Sequence, residues 1–205
     1  NKIWNAFRLV KSWEVQEGLE QPENATRAIE WFDNRLNQAI AKIDSEYARF
    51  RISDALMSTY KLVWDDFCSW YLEAVKPAYK HPADAETVKA TIDFMARLLK
   101  LMHPFMPFIT EEIWHLLDQQ QGDIIVAPWP EAGSVDEDLL EEFQVMTEVV
   151  SNIRTIRKDQ NIANKVKVDL KIKVDGARPA EKFDPVIIKL GNLSSLQEVT
   201  DKPGN

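Results

Sequence analysis

The sequence predicts a mainly α protein: a helical bundle, then a long helix and a small α+β subdomain. Three observations predict it. Apolar residues recur every three or four positions through residues 1–118, the spacing of one helix face. Prolines and turn residues cut that pattern into segments of bundle length. From Lys165 the period changes to two, as in a strand with one buried and one charged face.

The elements follow in order. Ile3, Phe7 and Val10 mark a first helix over 1–15, and Gly18 to Pro22 reads as a turn. A second helix over 25–50 carries the apolar row Ile29, Phe32, Leu36, Ala39/Ile40, Ile43, Tyr47 and Phe50, one stripe wide. A third spans 52–76, with Ser53 as the expected N-cap and Leu56, Val63, Phe67, Trp70 and Ala74 as its stripe. Pro77 ends it, because proline lacks the donor a continuing helix needs. A fourth helix over 83–102 carries Val88, Ile92, Met95, Leu99 and Met102. The two prolines of H-P-F-M-P-F at 103–108 bend the chain, and Thr110 is the expected cap of a short fifth helix. Gly122 to Gly133 is a loop, and 136–159 is a sixth helix. Val166, Val168, Leu170, Ile172 and Val174 then alternate with Lys165, Lys167, Asp169, Lys171 and Lys173. A short helix near 181–190 and a strand near 195–199 complete the reading. The expected domains are a bundle over 1–120, a linker over 121–135 and a long helix with the α+β subdomain over 136–205. The chain opens inside a helix pattern without a methionine, and we expect a fragment of a longer protein.

Composition excludes several classes. With 205 residues and 45% apolar content the chain can build a core of one or two domains. Six glycines supply neither a G-x-G-x-x-G nor a G-x-x-x-x-G-K-[ST] phosphate loop. A single cysteine, Cys68, rules out an internal disulfide, and His81, His103 and His115 lack zinc-hydrolase spacing. Neither a membrane span nor a signal peptide is visible, so a cytoplasmic location is expected. Net charge is -8, but it is uneven. Residues 131–148 hold seven acids and no base, whereas 151–173 hold seven bases against Asp159 and Asp169. Local fields decide what docks where.

Catalytic constellations fail on inspection. Asp65 and Asp66 point about 100° apart on a helix and cannot share a proton. His103 lacks a nucleophile within sequence reach, and Cys68 sits among aromatics with no basic neighbour in sequence. Two rows mixing aromatic and basic residues suit RNA better. Trp31, Arg35, Gln38 and Lys42 form a row off the apolar stripe of the second helix, and Trp4, Arg8 and Lys11 form another beside Asn5. Cations meet phosphates and aromatic planes stack on unpaired bases. The competing reading has both tryptophans flanking the core and the bases facing water. Likewise Arg154, Arg157, Lys158, Lys165 and Lys167 either track an RNA backbone or form a solvated helix end and strand face.

H-P-F-M-P-F-I-T-E-E-I-W at 103–114 resembles the helical anticodon-binding domain of the class I aminoacyl-tRNA synthetases for valine, isoleucine, leucine and methionine. N-K-I-W-N-A-F-R at 1–8, W-D-D-F-C-S-W-Y-L-E-A-V-K-P at 64–77 and I-R-T-I-R-K-D-Q-N-I at 153–162 are most similar to the valyl enzymes. The resemblance implies that catalytic and editing domains lie upstream and a coiled coil downstream. It implies no cofactor for this stretch, ATP and Mg serving the parent enzyme. The implied partners are the anticodon stem-loop of valine tRNA, whose second and third anticodon bases are A-C, and the catalytic domain of the same chain; a monomer is expected. By the match of N-A-F-R, Arg8 is assigned to direct anticodon contact; by the match around E-W-F-D-N-R, Trp31 is assigned to stack on an anticodon base. Asn5, Lys11, Arg35 and Trp4 are supporting candidates. The alternatives are the isoleucyl counterpart and a helical protein-interaction scaffold.

Overall fold

Helix α2 (Glu23–Ala48) is the axis of the molecule. Its Phe32, Leu36, Ile40 and Ile43 are wholly buried, so the stripe expected from spacing is the bundle seam. In the computed structural model, which describes residues 1–117, 122–173 and 180–199, α1 (Lys2–Lys11), α3 (Ile52–Lys61), α4 (Leu72–Val75), α5 (Ala85–Met102) and α6 (Pro107–Leu117) build the bundle with α2. Between α3 and α4 the helix winds on without a break as a π-helical segment, Leu62–Tyr71. Its wider turns bring Val63, Phe67 and Tyr71 inward together. Phe32 meets Phe67, Tyr71 and Phe94 at ring-centroid distances of 5.3, 4.9 and 5.0 Å. The Tyr71 hydroxyl is satisfied by Thr91 Oγ1 at 2.7 Å, as a buried polar group requires. Lys76 adopts an extended ψ of 135° before Pro77, which ends the helix where expected.

Two side chains start helices as caps. Asp84 Oδ1 accepts from Thr87 N at 2.7 Å to begin α5, and Asp136 Oδ1 accepts from Leu139 N at 3.0 Å to begin α7 (Glu137–Asp159). Other local expectations are corrected. Arg51, not Ser53, precedes α3. Thr110 lies within α6 rather than capping it; its hydroxyl binds the Met106 carbonyl and pairs with His103 Nδ1 at 2.8 Å. Pro107 opens that helix, a position where its missing donor costs nothing. Leu56 and Phe50, expected in the core, are 43% and 89% exposed. The first helix ends at Lys11, and Val15–Gln16 instead forms a short strand, β1, parallel to β2 (Ala83–Asp84).

The expected long helix and α+β piece are present. Strand β3 (Val168–Ile172) runs parallel to β4 (Leu193–Glu198), joined through α8 (Asp184–Gly191). Val174, expected in the first of these strands, lies outside the described residues. Val166, expected on the buried face, is 45% exposed and precedes the strand. Phe143 and Met146 of α7, Phe183, Val186 and Ile187 around α8, and Leu193 of β4 join one apolar core with α1 and α2. The loop before α7 straps α2: Trp129 Nε1 donates to Asp44 at 2.8 Å, and Asp136 N donates to Asn34 at 2.8 Å. Gly133 passes so close to Asn37 that an added Cβ would lie 3.1 Å from its amide nitrogen.

Candidate nucleic-acid interface

Helix α1 is fixed by Ile3, Ala6, Phe7 and Val10, all buried. A buried stripe of this spacing turns the opposite face outward. That face carries Asn5, Arg8 and Lys11, all exposed, and none has a side-chain hydrogen-bond or ion-pair partner among the described residues. Five other arginines are engaged, whereas Arg49 and Arg154, like Arg8, are exposed with no hydrogen-bond or ion-pair partner among the described residues. Arg27 pairs with Glu30, Arg35 with Asp66, Arg51 with Asp54 and Arg97 with Asp33. Arg157 is buried and donates to the carbonyls of Ala163, Val166 and Gly191. Arg8 therefore holds a full guanidinium fork in water on a rigid support. Trp4, on the same helix, is half-buried, its ring 5.7 Å from Phe7.

The second expected row is corrected. Trp31 does not stand off the core; it is 4% exposed, and its ring stacks on Phe143 of α7 at 3.8 Å and 8°. The face expected to receive an unpaired base is thus covered by a ring of the same chain. Arg35 is half-buried, donating from Nε to Asp66 at 2.8 Å and from Nη1 to Gln38, which donates in turn to Glu137. This row meets the acidic start of α7, and Asn5, Arg8 and Lys11 lie apart from it on α1. Asp66 feels two opposed effects: burial raises its pKa from the usual carboxylate range, and Arg35 lowers it. The Cys68 thiol is pushed up to about 11, chiefly by burial, with Lys2 acting weakly the other way; it stays a protonated thiol at neutral pH.

Sequence reading missed one aromatic group. Lys2 Nζ lies 3.9 Å from the Trp64 ring centre and donates to the Trp64 carbonyl, while Tyr60 stacks on Trp64 at 5.4 Å and 15°. Ile52, Leu56, Tyr60 and Trp64 form an exposed row at steps of four; the spacing is legible in the sequence, although Leu56 also falls on the expected core stripe. Glu111, His115 and Asp123 converge as well, but His115 Nε2 already bridges the two carboxylates at 3.0 and 3.3 Å. Among the described residues, no helix is long and apolar enough to cross a membrane.

The bundle thus presents a guanidinium, an amide and an ammonium on one outward face of α1, with no side-chain partner among the described residues. The sequence pattern described as the anticodon-binding domain of tRNA ligase matches residues 30–173, and the chain belongs to that family. Along 98% of its length it is 50% identical to a valine–tRNA ligase of Christiangramia forsetii and 48% identical to one of Phocaeicola vulgatus. It is 32% identical over 99% of its length to a valine–tRNA ligase of Thermotoga maritima. The chain spans 23–24% of the length of these relatives.

Proposed function

We propose that this chain is the anticodon-binding region of a valine–tRNA ligase and that α1 reads the anticodon loop of valine tRNA. The observation that carries the reading is Arg8. It is exposed, has no partner among the described residues, and stands beside Asn5 on a helix that the core holds still. A guanidinium can grip a base edge through two parallel donors, and an amide offers both donor and acceptor. Lys11 adds a phosphate contact, and half-buried Trp4 holds its end of the helix against the core. Amino-acid activation, with its ATP and magnesium, belongs in this reading to the remainder of the ligase, and the catalytic domain of the same chain is the neighbour of this region. The setting is a cytoplasmic monomer.

Binding of the valine-tRNA anticodon stem-loop by Arg8→Ala tests the assignment. If the guanidinium reads a base, the variant loses about 1–3 kcal/mol and discriminates poorly between the A-C loop and one with another dinucleotide. A loss equal for all loops, with a salt slope shallower by about one, reassigns Arg8 to phosphate.

A second reading, a protein-interaction scaffold, is favoured by the exposed row of Ile52, Leu56, Tyr60 and Trp64. Association through such a face is apolar and changes little with salt, whereas RNA binding weakens steeply as salt rises.

A further inference from the structure

A second positively charged surface lies away from the row on α1. Lys76 at the end of α4, Arg154 and Arg157 of α7 and Lys189 of α8 line one open cleft of about 820 Å³. Glu73 is the one carboxylate among its lining residues, and it is already paired with Lys76 at 2.7 Å. Four cations against one acid stand out in a chain whose net charge is -8. They also come from three separate elements, so the concentration is a product of the fold and not of one basic run in the sequence.

The four cations differ in what they have left to offer. Arg157 is spent on backbone carbonyls and serves as the floor. Arg154 is exposed and lies 5.0 Å over the Trp70 ring, which fixes the guanidinium without consuming its donors. Lys189 is half-buried and has no ion-pair partner among the described residues. Its pKa is lowered by burial and then by Lys76 and, more weakly, Lys167, with Glu73 acting the other way. Its charge is therefore held at a cost that an arriving anion would relieve. The rim of the cleft includes Ser69, whose hydroxyl lies 3.3 Å from Lys2 Nζ at the start of α1. The cleft and the exposed helix α1 thus border one another.

We propose that this cleft is a second RNA contact, in which Lys76, Lys189 and Arg154 hold the sugar–phosphate backbone of the same tRNA whose anticodon α1 reads. The inference rests on the proposed function for its ligand but not for its residues. Its volume suits a stretch of backbone better than a lone ion, and cations without a shaped base pocket, Lys76 through the ammonium donors that its Glu73 pair leaves over, bind phosphate without reading sequence. The cleft supplies affinity and orientation, and α1 supplies identity. This also explains how an acidic protein holds RNA: four cations gather in the cleft against Glu73 alone, while seven acids stand together in 131–148.

The test measures binding of full valine tRNA, and of the same tRNA with a different anticodon dinucleotide, across a salt series. The proteins are the parent chain, a Lys76→Gln/Lys189→Gln double variant, and Arg154→Gln, which changes an exposed side chain and so preserves the fold. Loss of two phosphate contacts should weaken both RNAs alike, by about tenfold, and make the slope of log affinity against log salt shallower by about 1.5. Arg154→Gln should do the same with a slope change of under one. The ratio between the two tRNAs should not move. Unchanged affinity and slope in both variants, with the anticodon still discriminated, overturn the cleft and leave the proposed function standing. Cleft variants that weaken binding by a parent chain blind to the anticodon would support the cleft and overturn anticodon reading. A parent chain that binds neither tRNA overturns both.

Discussion

Asp66 is where burial and pairing contend. Burial is the larger influence and raises its pKa, while Arg35 at 2.8 Å pulls it down. A raised folded pKa means that Asp66 favours the fold when protonated, and that this contribution is lost as pH rises through the folded value. Removing Arg35 raises the value further. Arg35→Ala should therefore destabilise the protein most at neutral pH, by about 1 kcal/mol for a pair still partly open to water, and progressively less toward pH 4. Urea unfolding at the two ends of that range checks it; a deficit independent of pH would show that Arg35 acts through packing alone. The same guanidinium was a candidate RNA contact on spacing grounds. Its partner lies on the π-helical segment, 31 residues away, a distance in sequence that helical periodicity does not span.

At the scale of elements, Trp31 carries the main lesson. Helix α2 buries two faces. Phe32, Leu36, Ala39, Ile40 and Ile43 form the expected stripe, and Ala28 and Trp31 are buried beside it. A helical wheel drawn for α2 finds the first stripe and leaves Trp31 on a polar row. The missing signal stood in α7, where Leu139, Phe143, Met146, Val150 and Ile153 repeat at steps of four and three and so demand an apolar partner. Most of the fold was legible because each helix announces one stripe. The second face of α2 was not legible, because it exists only once α7 docks. Trp31→Ala and Phe143→Ala should each cost about 3–5 kcal/mol, as large core truncations do. In a double-mutant cycle the two losses should be strongly non-additive, since the rings contact each other. Additive losses would separate the two rings energetically. The outward position of Arg8, in contrast, was legible in the sequence, because α1 has only one buried face and the outward one is what spacing leaves over.

Across the whole molecule, acids and cations divide by surface. The acidic start of α7 is turned to internal use: Glu137 accepts from Gln38, and Asp136 caps its own helix. Arg8 and Lys11 of α1 have no hydrogen-bond or ion-pair partner among the described residues, and a second group of cations gathers between α4, α7 and α8. One core runs from Ile3 through α2 to Leu193, so these surfaces are held in fixed relation by packing. That rigidity is what identity reading needs, because a contact displaced by an ångström no longer distinguishes one base from another. The most direct measurement is competition between two anticodon stem-loops for the unaltered chain at matched salt, one bearing A-C at the second and third anticodon positions and one bearing another dinucleotide. Preferential binding of the A-C loop, by the roughly 1–3 kcal/mol of a lost base contact, is the expected result. Equal binding of the two loops would contradict anticodon reading by this helical surface.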